Sequence, residues 1–148
     1  MSKSDTFEND LVKLIFQNVA IADIGDVAGL RASTTPGSLW VALYTANPDE
    51  AGTAVTNETA YTNYARQAVA RASGAGGFTI TGPSVSPTTN VDFPECGVTP
   101  GAAITHFGIV NTVSGAGKLL YSGTVSPSIT MASGVIPRLK TSSTIVED

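Results

Sequence analysis

Along Ile104-Thr105-His106-Phe107-Gly108-Ile109-Val110 the side chains alternate with a period of two, which predicts a strand. Ile104, His106, Gly108 and Val110 share one side, and Thr105, Phe107 and Ile109 share the other. Both sides are partly apolar, as suits a strand inside a layered sheet. Ser114-Gly115-Ala116-Gly117 offers residues that take positive φ at little steric cost, so the chain reverses there and returns from Leu119 to Val125. This hairpin is the predicted centre of the fold. Leu39-Trp40-Val41-Ala42-Leu43-Tyr44-Thr45 is a second strand apolar on both faces, stopped by Ala46-Asn47-Pro48-Asp49.

Residues 5–19 carry a helical period instead. Phe7, Leu11, Leu14, Ile15 and Val19 form the predicted apolar stripe, widened by Val12 and Phe16. Ser4 or Asp5 can cap this helix, and Asp5 with Glu8 imitates a capping box. The stripe either covers the end of its own sheet or inserts into a neighbouring subunit. Residues 20–38, broken by Gly25, Gly29, Pro36 and Gly37, read as a long arm. Residues 46–63 read as an exposed polar loop.

Tyr64-Ala65-Arg66-Gln67-Ala68-Val69-Ala70-Arg71 resumes a strand, and Gly74-Ala75-Gly76-Gly77 turns it into Phe78-Thr79-Ile80-Thr81 as a second hairpin. Pro83 and Pro87 are expected to keep residues 82–89 out of a central strand. Short strands follow at residues 90–93, 128–131, 135–139 and 143–146, with Pro137 marking an edge or a bulge. The count and spacing predict an all-β protein: a β-sandwich or jelly-roll-like domain over residues 39–148, preceded by the helix and arm of residues 1–38.

Composition narrows the function. A net charge of −4, with 14% of the 148 residues charged, disfavours a phosphate-tracking surface or a polybasic membrane patch, so neither nucleic acid nor membrane is an expected partner. One cysteine, Cys96, excludes a disulfide within the chain and a thiolate zinc site, and without an adjacent cation it reads as packed and inert. The N-terminal residues lack a secretory pattern, which points to synthesis in a cytoplasm. A domain of this size buries roughly 68–70% of its unfolded surface and needs no staple.

The search for chemistry finds little. Gly115-Ala116-Gly117-Lys118 resembles a phosphate loop only superficially, since Leu119 follows the lysine and the turn joins two strands. His106, the single histidine, lies mid-strand and reads as a structural imidazole bonded to neighbouring backbone. Asp23 with Asp26, Asp49 with Glu50, and Asp92 with Glu95 are carboxylate pairs without the spacing of a calcium loop. No catalytic residue, cofactor, metal or small-molecule substrate is expected. Arg66, Arg71 and Arg138 sit on predicted strands and are of the kind that pair with carboxylates or anchor subunit contacts.

Trp40-Val41-Ala42-Leu43-Tyr44-Thr45-Ala46-Asn47-Pro48, Tyr64-Ala65-Arg66-Gln67-Ala68-Val69, Val91-Asp92-Phe93-Pro94, Ile104-Thr105-His106-Phe107-Gly108-Ile109 and Lys118-Leu119-Leu120-Tyr121-Ser122-Gly123 together resemble a family of small virion proteins of tailed bacteriophages. Its members are variously described as capsid cement or tail fibre. The resemblance implies a non-enzymatic structural part of a phage particle. The first expectation is a capsid decoration protein on the capsid exterior, a homotrimer that clamps adjacent capsomers and has the major capsid protein as its partner. The alternative is a tail-tip or tail-fibre module for host attachment, with Tyr61, Tyr64 and Trp40 able to stack on sugar, although Trp40 fits the core better. On either reading Phe7, Leu11, Leu14, Ile15, Arg66, Arg71 and Arg138 are the candidate contact residues.

Overall fold

The computed structural model describes residues 2–147. Helix α1 (Asp5–Gln17) precedes the strands β1 (Ser38–Tyr44), β2 (Gln67–Ala70), β3 (Phe78–Thr81), β4 (Ser84–Pro87), β5 (Val91–Asp92), β6 (Ile104–Val110), β7 (Leu119–Ile129), β8 (Arg138–Leu139) and β9 (Ile145–Val146). They form sheets ordered β2-β1-β6-β7, β3-β4-β9 and β5-β8. The fold is mostly sheet with one short N-terminal helix, and none of these sheets closes into a barrel. The chain divides into two compact units, one of Met1–Ser38, Val69–Asn90 and Lys140–Asp148, the other of Leu39–Ala68 and Val91–Leu139.

In the first unit α1 packs on β3 and β4. Ser4 is the N-cap and its hydroxyl accepts from the Phe7 amide, so the Asp5–Glu8 capping box is not used. Asn18 ends the helix two residues' span short of Val19 by taking the left-handed conformation at φ 57. The buried face is Glu8, Val12 and Phe16, and Phe16 meets the Phe78 ring edge-on at 4.9 Å between centroids. The predicted stripe therefore lies off the core: Leu11, Leu14 and Ile15 are half-buried, and Phe7 and Val19 are exposed. The two residues that were to widen the stripe, Val12 and Phe16, form the contact instead. Gln17 closes the seam by donating to the Phe78 carbonyl at 2.8 Å.

β3 and β4 form a hairpin across Gly82, whose φ of 59 suits the tight turn. This corrects two expectations. β4 is the middle strand of its sheet despite its prolines, because Pro83 precedes it, Pro87 ends it, and β9 pairs only with Ser84 and Val85. β2 and β3 are not a hairpin, since they belong to different sheets and the turn between them is closed on itself by Ala70 N–H to Gly76 O and Phe78 N–H to Ala72 O.

The second unit is built on the predicted hairpin. β6 lies between β1 and β7, antiparallel to both, with Trp40 opposite Val110 and Tyr44 opposite His106. Ala42, Tyr44, Ala54 and Val110 are fully buried, with Trp40 and Leu119 packed against them. Gly108 is needed for this closeness: a Cβ there would come within 2.8 Å of both the Leu119 methyl and the Tyr44 ring. β7 runs on to Ile129, absorbing part of the separate strand expected at residues 128–131, and the pairing with β6 shifts register twice along it.

The two helix faces make opposite predictions. Phe16→Ala should cost about 3–5 kcal/mol of unfolding free energy, and Phe7→Ala about 1 kcal/mol or less. Urea denaturation of both variants checks this, and equal losses would refute the assignment of the buried face.

Candidate functional site

The densest polar cluster in the second unit surrounds Arg66, which is only 5% exposed. Its Nε and Nη2 donate to Glu58 Oε1 and Oε2 at 2.7 and 2.8 Å, a two-pronged charge-assisted pair. Nη1 donates to the Thr112 carbonyl at 3.0 Å and the Thr112 hydroxyl at 2.9 Å. Nη2 also reaches the carbonyls of Gly115 and Ala54 at 3.0 and 3.2 Å. The Tyr64 hydroxyl donates to Glu58 Oε1 at 2.8 Å and accepts from the Leu43 amide at 3.1 Å. The Tyr44 hydroxyl donates to the Ala54 carbonyl at 3.1 Å.

These bonds join β1, residues 46–63 and the turn between β6 and β7. The middle segment is the irregular and largely exposed loop expected, but it is pinned down at several points. Pro48, Ala54, Thr59 and Tyr61 are buried, the Ala54 amide donates to Gly117 O at 3.0 Å, and the Thr59 amide donates to Leu43 O at 2.9 Å. The many Thr, Asn and Gly residues of the segment supply turns rather than freedom.

The electrostatics follow from burial and from the ion pair. Hydrogen bonds donated to Glu58 raise the Arg66 guanidinium above its already high value. Burial, reinforced by the Glu58 charge, pushes the Tyr44 hydroxyl up to about 12. Burial raises Tyr64 further, with Glu58 again adding to it. Tyr61 is also raised to about 12, first by burial, and its hydroxyl donates to the Pro94 carbonyl at 2.9 Å. An open cleft of about 540 Å³ is lined by Glu58, Thr59, Tyr61, Tyr64 and Arg66 together with Gly115. Its carboxylate is neutralised by the arginine and its tyrosines are held protonated, so the arrangement acts as a clamp on three segments.

Arg71 does a related job in the first unit. Its Nε and Nη2 donate to the carbonyls of Ile15 and Leu14, both at 2.7 Å, and Nη1 to the Pro36 carbonyl at 3.1 Å. The last turn of α1 contains no basic residue, so a cation from elsewhere in the chain satisfies its open carbonyls and the negative end of its dipole. Arg138 is different: it is exposed and forms a two-pronged pair with Asp92 across β5 and β8, which holds the Asp92 carboxyl below the usual carboxylate range. The candidate contact residues thus separate. Arg66 and Arg71 have donors committed within their own units, whereas Phe7 and Arg138 are at the surface and Leu11, Leu14 and Ile15 are half-buried.

His106 Nδ1 pairs with the Thr105 hydroxyl at 2.8 Å, so its partner is a neighbouring side chain rather than backbone. Cys96 is buried, with Sγ near the Gly97 carbonyl at 3.5 Å. Among the described residues no three His, Cys, Asp or Glu side chains are grouped to hold a metal ion, and no helix is long and apolar enough to cross a membrane.

Residues 2–147 match the protein family described as podophage GP4 fiber I protein gp80. The chain belongs to that family. It is therefore a phage virion structural protein, as the resemblance of its strand motifs implied, and the family's description as a fiber protein supports the tail-fibre alternative more than the capsid decoration expected first. A search of curated proteins returns no match. For a fibre protein the aromatic residues bear on sugar stacking, and the three rings differ. Trp40 packs against the core as expected, Tyr61 is buried and meets Tyr64 edge-on at 5.3 Å, and Tyr64, stacked with Phe93 at 6.3 Å, is half-buried on the wall of the open cleft.

Removing one side of the buried ion pair strands the other. Arg66→Ala should lower unfolding free energy by about 3–5 kcal/mol and expose residues 46–63 to proteolysis, which denaturant titration and limited digestion read directly. Wild-type stability or an uncut segment would overturn the clamp.

The tyrosines predict alkaline lability. An unfolded tyrosine ionises near about 10, whereas Tyr44 and Tyr61 do so near about 12 in the folded chain. The folded state therefore retains protons that the unfolded state releases, so their contribution is complete below about pH 10 and lost as pH rises toward about 12. Denaturation midpoints measured in steps across that window should fall; a flat profile would contradict the raised values.

Proposed function

We propose that the chain is a non-enzymatic tail-fibre module that serves host attachment as a structural part of the fibre. The observation that carries this reading is the family match over residues 2–147, whose description is a fiber protein. Its polar clusters support a structural role, because Arg66 and Arg71 hold backbone carbonyls in place. On this reading the chain assembles as a homotrimer, and contacts with neighbouring chains use the helix face of Phe7, Leu11 and Leu14, with Ile15 at its margin. That face is apolar yet lies off the buried one, which is the usual mark of a surface intended for another chain.

Copy number and location test the reading together. Quantitative mass spectrometry of purified virions should find this chain far below parity with the major capsid protein, and antibody–gold labelling should decorate tails. Near-parity with label over the shell would instead support a capsid decoration protein on the capsid exterior and remove the fibre reading. Light scattering of the purified chain tests the trimer, and a monomer at all concentrations would refute it.

A further inference from the structure

Exposed apolar side chains are concentrated near the N-terminus. Phe7, Val19, Ile24, Val27 and Leu30 all remain exposed, and Val27 is 84% exposed. The last three lie on a closed finger rather than the unstructured arm that the sequence predicts. At its base Ile21 and Leu30 exchange backbone bonds of 2.9 and 2.8 Å. Below them Asn18 and the Ser33 backbone exchange two more, both 2.8 Å. Asp26 Oδ1 fixes the turn by accepting from the amides of Ala28 and Gly29 at 2.8 and 2.9 Å. At Gly29, with φ +59, a Cβ would lie 1.9 Å from the Ile21 carbonyl oxygen, so only glycine lets the finger close.

A loop with that many internal ties presents its apolar tip already ordered, which reduces the entropy lost on docking. Its tip is acidic. Asp23 and Asp26 are the charged residues between Ile21 and Leu30, both exposed, and the exposed Arg31 follows at the base. We propose that this finger docks, through Ile24 and Val27, in an apolar pocket rimmed by lysine or arginine on a different protein of the virion. Charge complementarity selects that rim: carboxylates beside an apolar tip repel an acidic partner and are steered toward a basic one. A second copy is the less suited occupant. The chain has net charge −4 and eight cations, of which Lys3, Arg66 and Arg138 are in ion pairs and Arg71 is held by carbonyls, which leaves Lys13, Arg31, Lys118 and Lys140 scattered along the chain.

The proposal rests on the chain being a virion fibre part, and the test separates the two. Host cells supply wild-type or variant chain during infection by phage lacking the gene, and copies per purified virion are counted. Val27→Asp and Ile24→Ser should reduce incorporation by about tenfold or more, and Asp23→Asn, which still tolerates positive φ, by about threefold. Val98→Ser, at a valine 87% exposed outside the finger, should match wild type. Unchanged incorporation of Val27→Asp, with an unaltered melting midpoint, overturns the proposal, as does an equal loss for Val98→Ser. Unchanged Asp23→Asn removes the basic rim. If Val27→Asp instead breaks a wild-type oligomer in sedimentation, the occupant is a second copy and the proposal fails. Gold labelling on capsids would refute the fibre reading while leaving the finger variants decisive.

Discussion

The bond between Arg66 and Glu58 is the constraint on which the second unit depends. A buried ion pair is not in itself a source of stability, because both charges lose their water. This one is offset by completeness: both carboxylate oxygens accept from the guanidinium, and its remaining donors meet Thr112, Gly115 and Ala54. Each of those carbonyls belongs to an irregular segment that strand pairing does not satisfy. The pair therefore specifies where residues 46–63 and the turn after β6 lie, and Tyr64 ties the same carboxylate to the Leu43 amide. In the first unit Arg71 meets the same need without a carboxylate, taking the open carbonyls of Leu14, Ile15 and Pro36. Each unit thus uses an arginine to satisfy backbone that its regular elements leave unpaired.

Much of the fold was legible because local pattern and tertiary demand agree. The period of two along Ile104-Thr105-His106-Phe107-Gly108-Ile109-Val110, and the glycine-rich turn after it, yield β6 in the middle of its sheet with β7 returning beside it. The apolar run from Leu39 to Tyr44 yields β1. Where the reading missed, more than one solution fitted the pattern. Helix α1 has apolar residues around more than half its circumference, so periodicity alone did not choose between the Phe7–Leu11–Leu14 face and the Val12–Phe16 face. The Phe78 ring on β3 makes that choice. β4 tolerates its flanking prolines because a strand needs its donors only where a neighbour is present, and β9 reaches no farther than Val85.

The clamp was half visible. Arg66 stood out as a cation on a strand, but its partner Glu58 lay inside Asn57-Glu58-Thr59, in a segment whose composition signals exposure. Composition reports what a loop is made of, not whether it is tied down. The available signal was spacing: Glu58, Tyr64 and Arg66 bring a carboxylate, a hydroxyl and a guanidinium within eight residues, punctuated by Asn57 and Asn63 at φ 60 and 78. The contribution of Thr112 and Gly115 had no local signal, because it depends on where the β6–β7 turn lies. The resemblance carried by the strand motifs reached the virion protein family, which no residue-level chemistry did, but not the role within the particle, because a shared fold does not fix a function.

A chain with few charges must choose where to use them. Arg66 and Arg71 are committed inward, and Arg138 faces Asp92. With half of the eight cations engaged within the chain, exposed apolar side chains and carboxylates are what the proposed docking draws on. Both are found together where the backbone is irregular but closed, on the finger between Ile21 and Leu30. The internal use of arginine and the exposure of valine and aspartate are thus complementary: Arg66 and Arg71 hold backbone in place, while Val27 and Asp23 remain at the surface, where the proposed docking would use them.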